Sequence, residues 1–285
     1  MRIRPITEDQ ADDQTKKIYN GLKEALGSYH VPIFFTYFAP FPEYFAYISD
    51  QLIDNLKDPR FKNIIAEMKK DILPLIGEKL EKSEETKSWL NRYQYSPSFY
   101  HFQQNNDTIF TINLKLAFVF IALREAVKGW AIAAKKLSSS VSDKKQESAS
   151  IVEESFIYDF SSIKEYGTSK TVTSNAPSNT LATKQYGLVK SQSSPLEKDL
   201  LEEYFTLCRM DFSEHMKHDY FWILRLGIEK MILQTLPLLP QLINSPINVF
   251  FKLTQNYDSS EFLYFLAEHF PTYSIHRLLF SGYMK

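Results

Sequence analysis

The stretch "MDFSEHMKHDYFW", residues 210 to 222, sets Asp211, Glu214, His215, His218 and Asp219 within nine positions. On a helix, positions 211, 214, 215 and 218 share one face, and carboxylates with imidazoles at that spacing can hold a metal ion. Such a site needs a further ligand from elsewhere, and the sequence marks none. The reading is therefore no metal, with the cluster as a solvated polar face ahead of the next helix. A second group, Gln94-Tyr95-Ser96, falls on a turn before Pro97, where its polar atoms can face a pocket or pack on the core. Phe34, Phe35 and Tyr37 can be pocket wall or core, and His30 adjoins the start of a helix. Arg92 and Arg225 can each clamp a carboxylate through two parallel hydrogen bonds. There is no Gly-rich phosphate loop and no Gly-x-Ser-x-Gly elbow, so acyl transfer lacks its usual turn.

Composition narrows the classes further. Lys+Arg number 33 and Asp+Glu 34, a formal net charge of −1, and no basic stripe runs along the chain. Nucleic-acid binding is not expected, because its affinity comes from neutralising phosphates. Cys208 is the single cysteine, which rules out an intrachain disulfide and a Cys-x-x-Cys pair and fits a reducing, cytoplasmic setting. The first residues, from Met1 to Asp9, contain no apolar leader core. The longest apolar run is Leu116 to Leu123, too short to span a bilayer, so a buried helix is expected there.

These residues need elements to position them. Only eight glycines occur in 285 residues, and apolar residues recur three and four apart, so the chain reads as all-α. A first helix is expected over 7–26, capped by Thr7 and stopped at Gly27-Ser28. The stretch 29–52 carries nine Phe and Tyr rings and three prolines. The prolines forbid a central strand, leaving two short aromatic helices joined at a proline corner. Further helices are expected over 61–76, interrupted near Pro74 and Gly77, and from Ser83 to Tyr93. Asn105-Asn106-Asp107 should break a helix before a long one over 108–137. Residues 138–194 are rich in Ser, Thr, Lys and Gln and read as a linker, with one amphipathic piece over 151–166. Helices resume over 196–212, 221–236, 248–253 and 259–270, and Pro271 to Tyr283 closes the chain. Three parts follow: an N-terminal helical repeat over 1–137, the linker over 138–194 and a C-terminal helical repeat over 195–285.

The repeat is suggested by a shift of about 185 positions. It pairs Tyr19 with Tyr204, Leu22 with Leu207, Phe35 with Tyr220 and Ile48 with Leu233, but sets Ile18 against Glu203 and Leu52 against Pro237. Two such halves would face each other across a pseudo-two-fold seam, where ligand sites tend to lie.

The series Pro5-Ile6, Gln10-Ala11, Ile18-Tyr19, Leu22, Leu26-Gly27, Val31-Pro32, Phe34-Phe35 and Pro42 resembles the start of the group I 2-haloacid dehalogenases. Ile72-Leu73-Pro74-Leu75-Ile76 and Trp89 to Pro97 resemble two further segments of that family, and His215 and His218 fall where its second half carries histidines. The resemblance implies an internally duplicated all-α fold, similar to the helical thiol peroxidase and carboxymuconolactone decarboxylase group. It implies direct attack of an activated water on the halogen-bearing carbon, without a covalent ester and without a cofactor. On this resemblance Gln94 matches an Asn that orients the water, and Glu197 or Asp199 stands near the place of the Asp base. Ile33 stands where the family has a pocket tryptophan, and with Phe34, Tyr37, Tyr95 and Ser96 it forms the expected substrate wall. Two functions are therefore expected. One is a hydrolase of a small 2-substituted carboxylate. The other is a non-catalytic relative that binds a small carboxylate or apolar ligand, or a partner protein, in the seam.

Overall fold

A computed structural model describes residues 3–133 and 195–285, the side chains of 195–199 excepted. The expected linker over 138–194, its piece over 151–166 and the junctions at 137 and 194 lie outside the described residues. Every regular element described is helical, so the chain is all-α. The helices are α1 (Asp13–Leu26), α2 (Ile33–Thr36), α3 (Pro42–Lys57), α4 (Pro59–Lys79), α5 (Glu84–Tyr93) and α6 (Pro97–Val127). After the undescribed stretch come α7 (Pro195–His215), α8 (Asp219–Thr235), α9 (Ile247–Thr254), α10 (Ser260–Tyr264) and α11 (Phe270–Tyr283).

α6 is the axis of the body. From Leu114 to Leu123 all but Lys115 are buried, and a helix that is apolar all round belongs in a core. α11 lies along it, fastened by Asn106 Nδ2 to the Ser281 carbonyl at 3.0 Å and by Asn113 Nδ2 to Ser281 Oγ at 3.1 Å. Gly282 lets α11 close up on α4 and α6: a Cβ there would stand 2.6 Å from Ile76 Cδ1 of α4 and 3.0 Å from Phe110 Cε2 of α6. A largely buried ion network ties α6 to α8, with Arg124 on Glu229 at 2.5 Å and Arg225 on the same carboxylate at 3.4 Å.

The aromatic stretch over 29–52 forms two helices meeting at a proline corner, as its prolines require. Phe34, Phe35 and Phe38 are buried and reach the rings of Phe120, Phe262 and Phe270, which joins the two ends of the sequence in one core. No described helix is long and apolar enough to cross a membrane.

Several boundaries differ from the sequence expectation, and the long helix expected over 108–137 ends at Val127, ahead of Gly129 at φ 88°. Helix α1 begins at Asp13 because Asp12, not Thr7, caps it by accepting from Thr15 N–H at 2.7 Å. Pro74 lies inside the continuous helix α4. Asn105-Asn106-Asp107 do not break α6: Asn106 Nδ2 bonds across to α11, and Asp107 takes Lys69 and Lys285, so tertiary contacts engage these two side chains within a continuous helix.

Candidate functional site

A cleft of about 340 Å³ opens between the loop after α1, the first half of α6 and Arg277 of α11. It therefore draws on chain from before residue 137 and from after 195. Gly27 closes α1 in the left-handed conformation at φ 76°, giving its N–H to Lys23 O at 2.9 Å. The chain then turns through Ser28, Tyr29 and His30 into Val31-Pro32, which starts α2. Two side chains hold this wall in place. Lys115 of α6 donates to the Leu26 carbonyl at 2.9 Å. Glu8 accepts from Val31 N–H at 2.8 Å and from Lys23 Nζ at 2.5 Å. Partial burial would raise the Glu8 carboxyl, but the Lys23 and Val31 hydrogen bonds outweigh it and hold it below the usual carboxylate range. Burial, helped by Lys62, lowers the Lys115 ammonium.

The cleft is chemically two-sided. Val31, Ile33, Ile109, Ile112 and Leu116 give it an apolar surface. Arg277, Asn105, Thr108, Asn113, His30 and Ser28 supply polar groups, and no Asp or Glu is among its described lining residues. The Arg277 guanidinium carbon lies 5.9 Å from the centre of the buried Phe34 ring, within range of a cation–π contact, and its backbone carbonyl accepts from Asn113 Nδ2 at 3.3 Å. Ser28 Oγ is buried and makes no hydrogen bond among the described residues.

Of the expected substrate wall, Ile33 lines this cleft. Phe34 sits behind it in the core, under Arg277, and Tyr37 packs on Phe265 and Phe270. Gln94 is exposed on the turn after α5, and Tyr95 is 90% exposed. Ser96 caps α6 by accepting from Phe99 N–H at 3.3 Å. These three do not line the cleft. Glu197 and Asp199 fall in the first turn and a half of α7, where the backbone alone is described.

The polar cluster of residues 211–219 is parted by its contacts. Asp211 turns inward, accepting from Tyr283 at 2.6 Å, Thr86 at 2.7 Å and Ser83 N–H at 3.1 Å. His215 engages Tyr220 and the Glu81 carbonyl, and Glu214 pairs with Lys217. Cys208 is buried in helix α7, and burial pushes its thiol up to about 12, away from nucleophilic chemistry. Of the two arginines singled out in the sequence as carboxylate clamps, Arg92 bonds Ser88 on the surface and Arg225 is committed to Glu229 and Thr272. The arginine at the cleft is Arg277. Its signal in the sequence was weak: a lone arginine between His276 and Leu278 in a largely apolar helix.

No family model and no curated protein matches the chain. Among solved structures, a D-2-haloacid dehalogenase mutant in complex with D-2-CPA is similar in fold. The TM-score is 0.63 at 16% identity, over 100% of this chain and 95% of that one. The all-α fold is thus shared with a dehalogenase at low identity.

Proposed function

We propose that the chain binds a small organic carboxylate in the cleft, with Arg277 as the anion partner. The observation that carries this is a largely apolar cleft with Arg277 in its lining, the guanidinium carbon 5.9 Å from the centre of the Phe34 ring. A guanidinium there gives a carboxylate charge-assisted hydrogen bonds, and the apolar residues take the rest of the ligand. The test is titration calorimetry with benzoate and with benzamide, on the wild type and on Arg277→Met. Benzoate should bind and benzamide should not, and the variant should lose about tenfold or more in benzoate affinity, the worth of a hydrogen bond to a charged group. Equal binding of acid and amide would contradict the assignment.

A second reading is favoured by the fold likeness to a dehalogenase: hydrolysis of a 2-substituted carboxylate by direct water attack, with Gln94 orienting the water and Glu197 or Asp199 as base. Halide release from racemic 2-chloropropionate is the measurement. Release by the wild type that is lost in Gln94→Ala supports it, and no release over hours by pure protein discards it.

A further inference from the structure

We infer that the exposed face of α8 pairs with the same face of a second copy of the chain, the two helices running antiparallel about a two-fold axis. The inference stands apart from the carboxylate-binding reading and does not depend on it.

Three observations carry it. The first is an apolar face turned outward. α8 buries Phe221, Leu224, Ile228 and Ile232 against the core. On its other side Ile223 is 69%, Trp222 42% and Leu226 37% exposed. A helix on a globular body ordinarily keeps polar residues on its solvent side, so three large apolar side chains close together there mark a contact face. Trp222 is already held in place. Its Nε1 donates to the Met216 carbonyl at 3.0 Å and its ring packs on His276, so little side-chain freedom is lost on pairing.

The second observation is register. Asp219, Ile223, Leu226 and Lys230 follow at four-, three- and four-residue spacing and form one outward strip of α8. In an antiparallel two-fold pair, residues equally far from the axis on opposite sides lie level with one another. With the axis between Leu224 and Arg225, Ile223 is level with Leu226 of the second copy, and Trp222 with Gly227. A Cβ on Gly227 would meet nothing within 4 Å, so the position level with the bulky indole is open.

The third is charge. The same register sets Asp219 level with Lys230 of the second copy, once at each end of the strip. Both side chains are exposed, and neither has an ion pair or side-chain hydrogen bond among the described residues. A parallel pair would instead bring Asp219 to Asp219 and Lys230 to Lys230, so the charges select the antiparallel arrangement. One helix face offers less than the about 800 Å² per partner of a standard interface, so the pair is a weak one, in the micromolar range.

The experiment is sedimentation velocity on the full chain from about 1 to 300 µM, a range that brackets micromolar association. It is repeated on Ile223→Glu, on Asp219→Lys, on Lys230→Asp and on an equimolar mixture of the last two. Thermal melts verify that each variant is folded. The wild type should pass from monomer to dimer within the range, and Ile223→Glu should remain monomeric. Each charge reversal alone sets like charges level at both ends and should weaken association about tenfold. Mixing the two should restore it, because the variants paired with each other again match acid with base at both ends. A wild type that is monomeric throughout overturns the inference, and cross-links from Lys230 then tell whether residues 134–194 cover the face instead. Dimers that survive Ile223→Glu, or charge reversals that mixing does not rescue, put the contact on another surface and overturn it equally.

Discussion

Arg277 and His276 are neighbours on α11 with opposite fates. Arg277 lines the cleft with its guanidinium carbon 5.9 Å from the Phe34 ring centre, whereas His276 is tucked against Phe221 and Trp222 near the Arg225 charge, with its Nε2 buried and unbonded among the described residues. Burial, and then the charge of Arg225, push the His276 imidazole down to about 4 from its usual 6.5. A depressed basic group means that the unfolded chain takes its proton first as the pH falls. Its stability contribution is therefore complete above about 6.5 and is lost between about 6.5 and 4, amounting to about 3 kcal/mol. Urea midpoints measured from pH 7 to pH 4 should fall accordingly in the wild type and be flatter in His276→Gln. Parallel profiles would refute the buried neutral imidazole. Asp211 adds a loss in more acid solution. Burial alone would raise its carboxyl, but the hydrogen bonds from Tyr283, Thr86 and Ser83 hold it low, so its contribution disappears only as the pH drops through the carboxylate range. At this scale the sequence was least informative. Ile33 was expected in a pocket wall and lines the cleft, whereas nothing local in the sequence marks Arg277, which the packing of α11 on α6 brings there.

The elements that build the cleft were easier to read than their ends. Apolar spacing and proline corners located the helices, because those signals are local. The expected interruption at Pro74 did not occur, and at Asn105-Asn106-Asp107 the helix runs on because side chains distant in sequence supply bonds that no local window contains. The loop after α1 shows the same dependence. Gly27 turns it, but Glu8 and Lys115 hold it. Glu8→Ala removes the acceptor for Val31 N–H and the partner of Lys23 together, whereas Glu8→Gln keeps an acceptor. Amide exchange at Val31 should quicken at least tenfold in the alanine variant, the effect of losing one hydrogen bond, and less in the glutamine variant. Carboxylate affinity should fall in the same order. An unchanged exchange rate in Glu8→Ala would show that the loop is held by other contacts.

For the whole molecule, the all-α class was visible from the scarcity of glycine and the helical spacing of apolar residues, and a dehalogenase of low identity shares the fold. The internal duplication is a proposal that rests on sequence pairing. One pair supports it: Tyr19 and Tyr204 are both buried, and each gives its hydroxyl to a main-chain carbonyl, of Ile6 and of Met284 respectively. Another pair diverges, since Phe35 is in the core and Tyr220 is 40% exposed. What the two parts of the chain demonstrably share is the cleft, walled by the loop after α1 and α6 on one side and by Arg277 on the other.

The most direct measurement is a crystal structure of the protein with benzoate. The carboxylate should lie within hydrogen-bond distance of the Arg277 guanidinium, with the ring against Ile109 and Ile112. A ligand seated elsewhere, for instance beside Gln94, or a cleft that stays empty at saturating acid, would contradict the account.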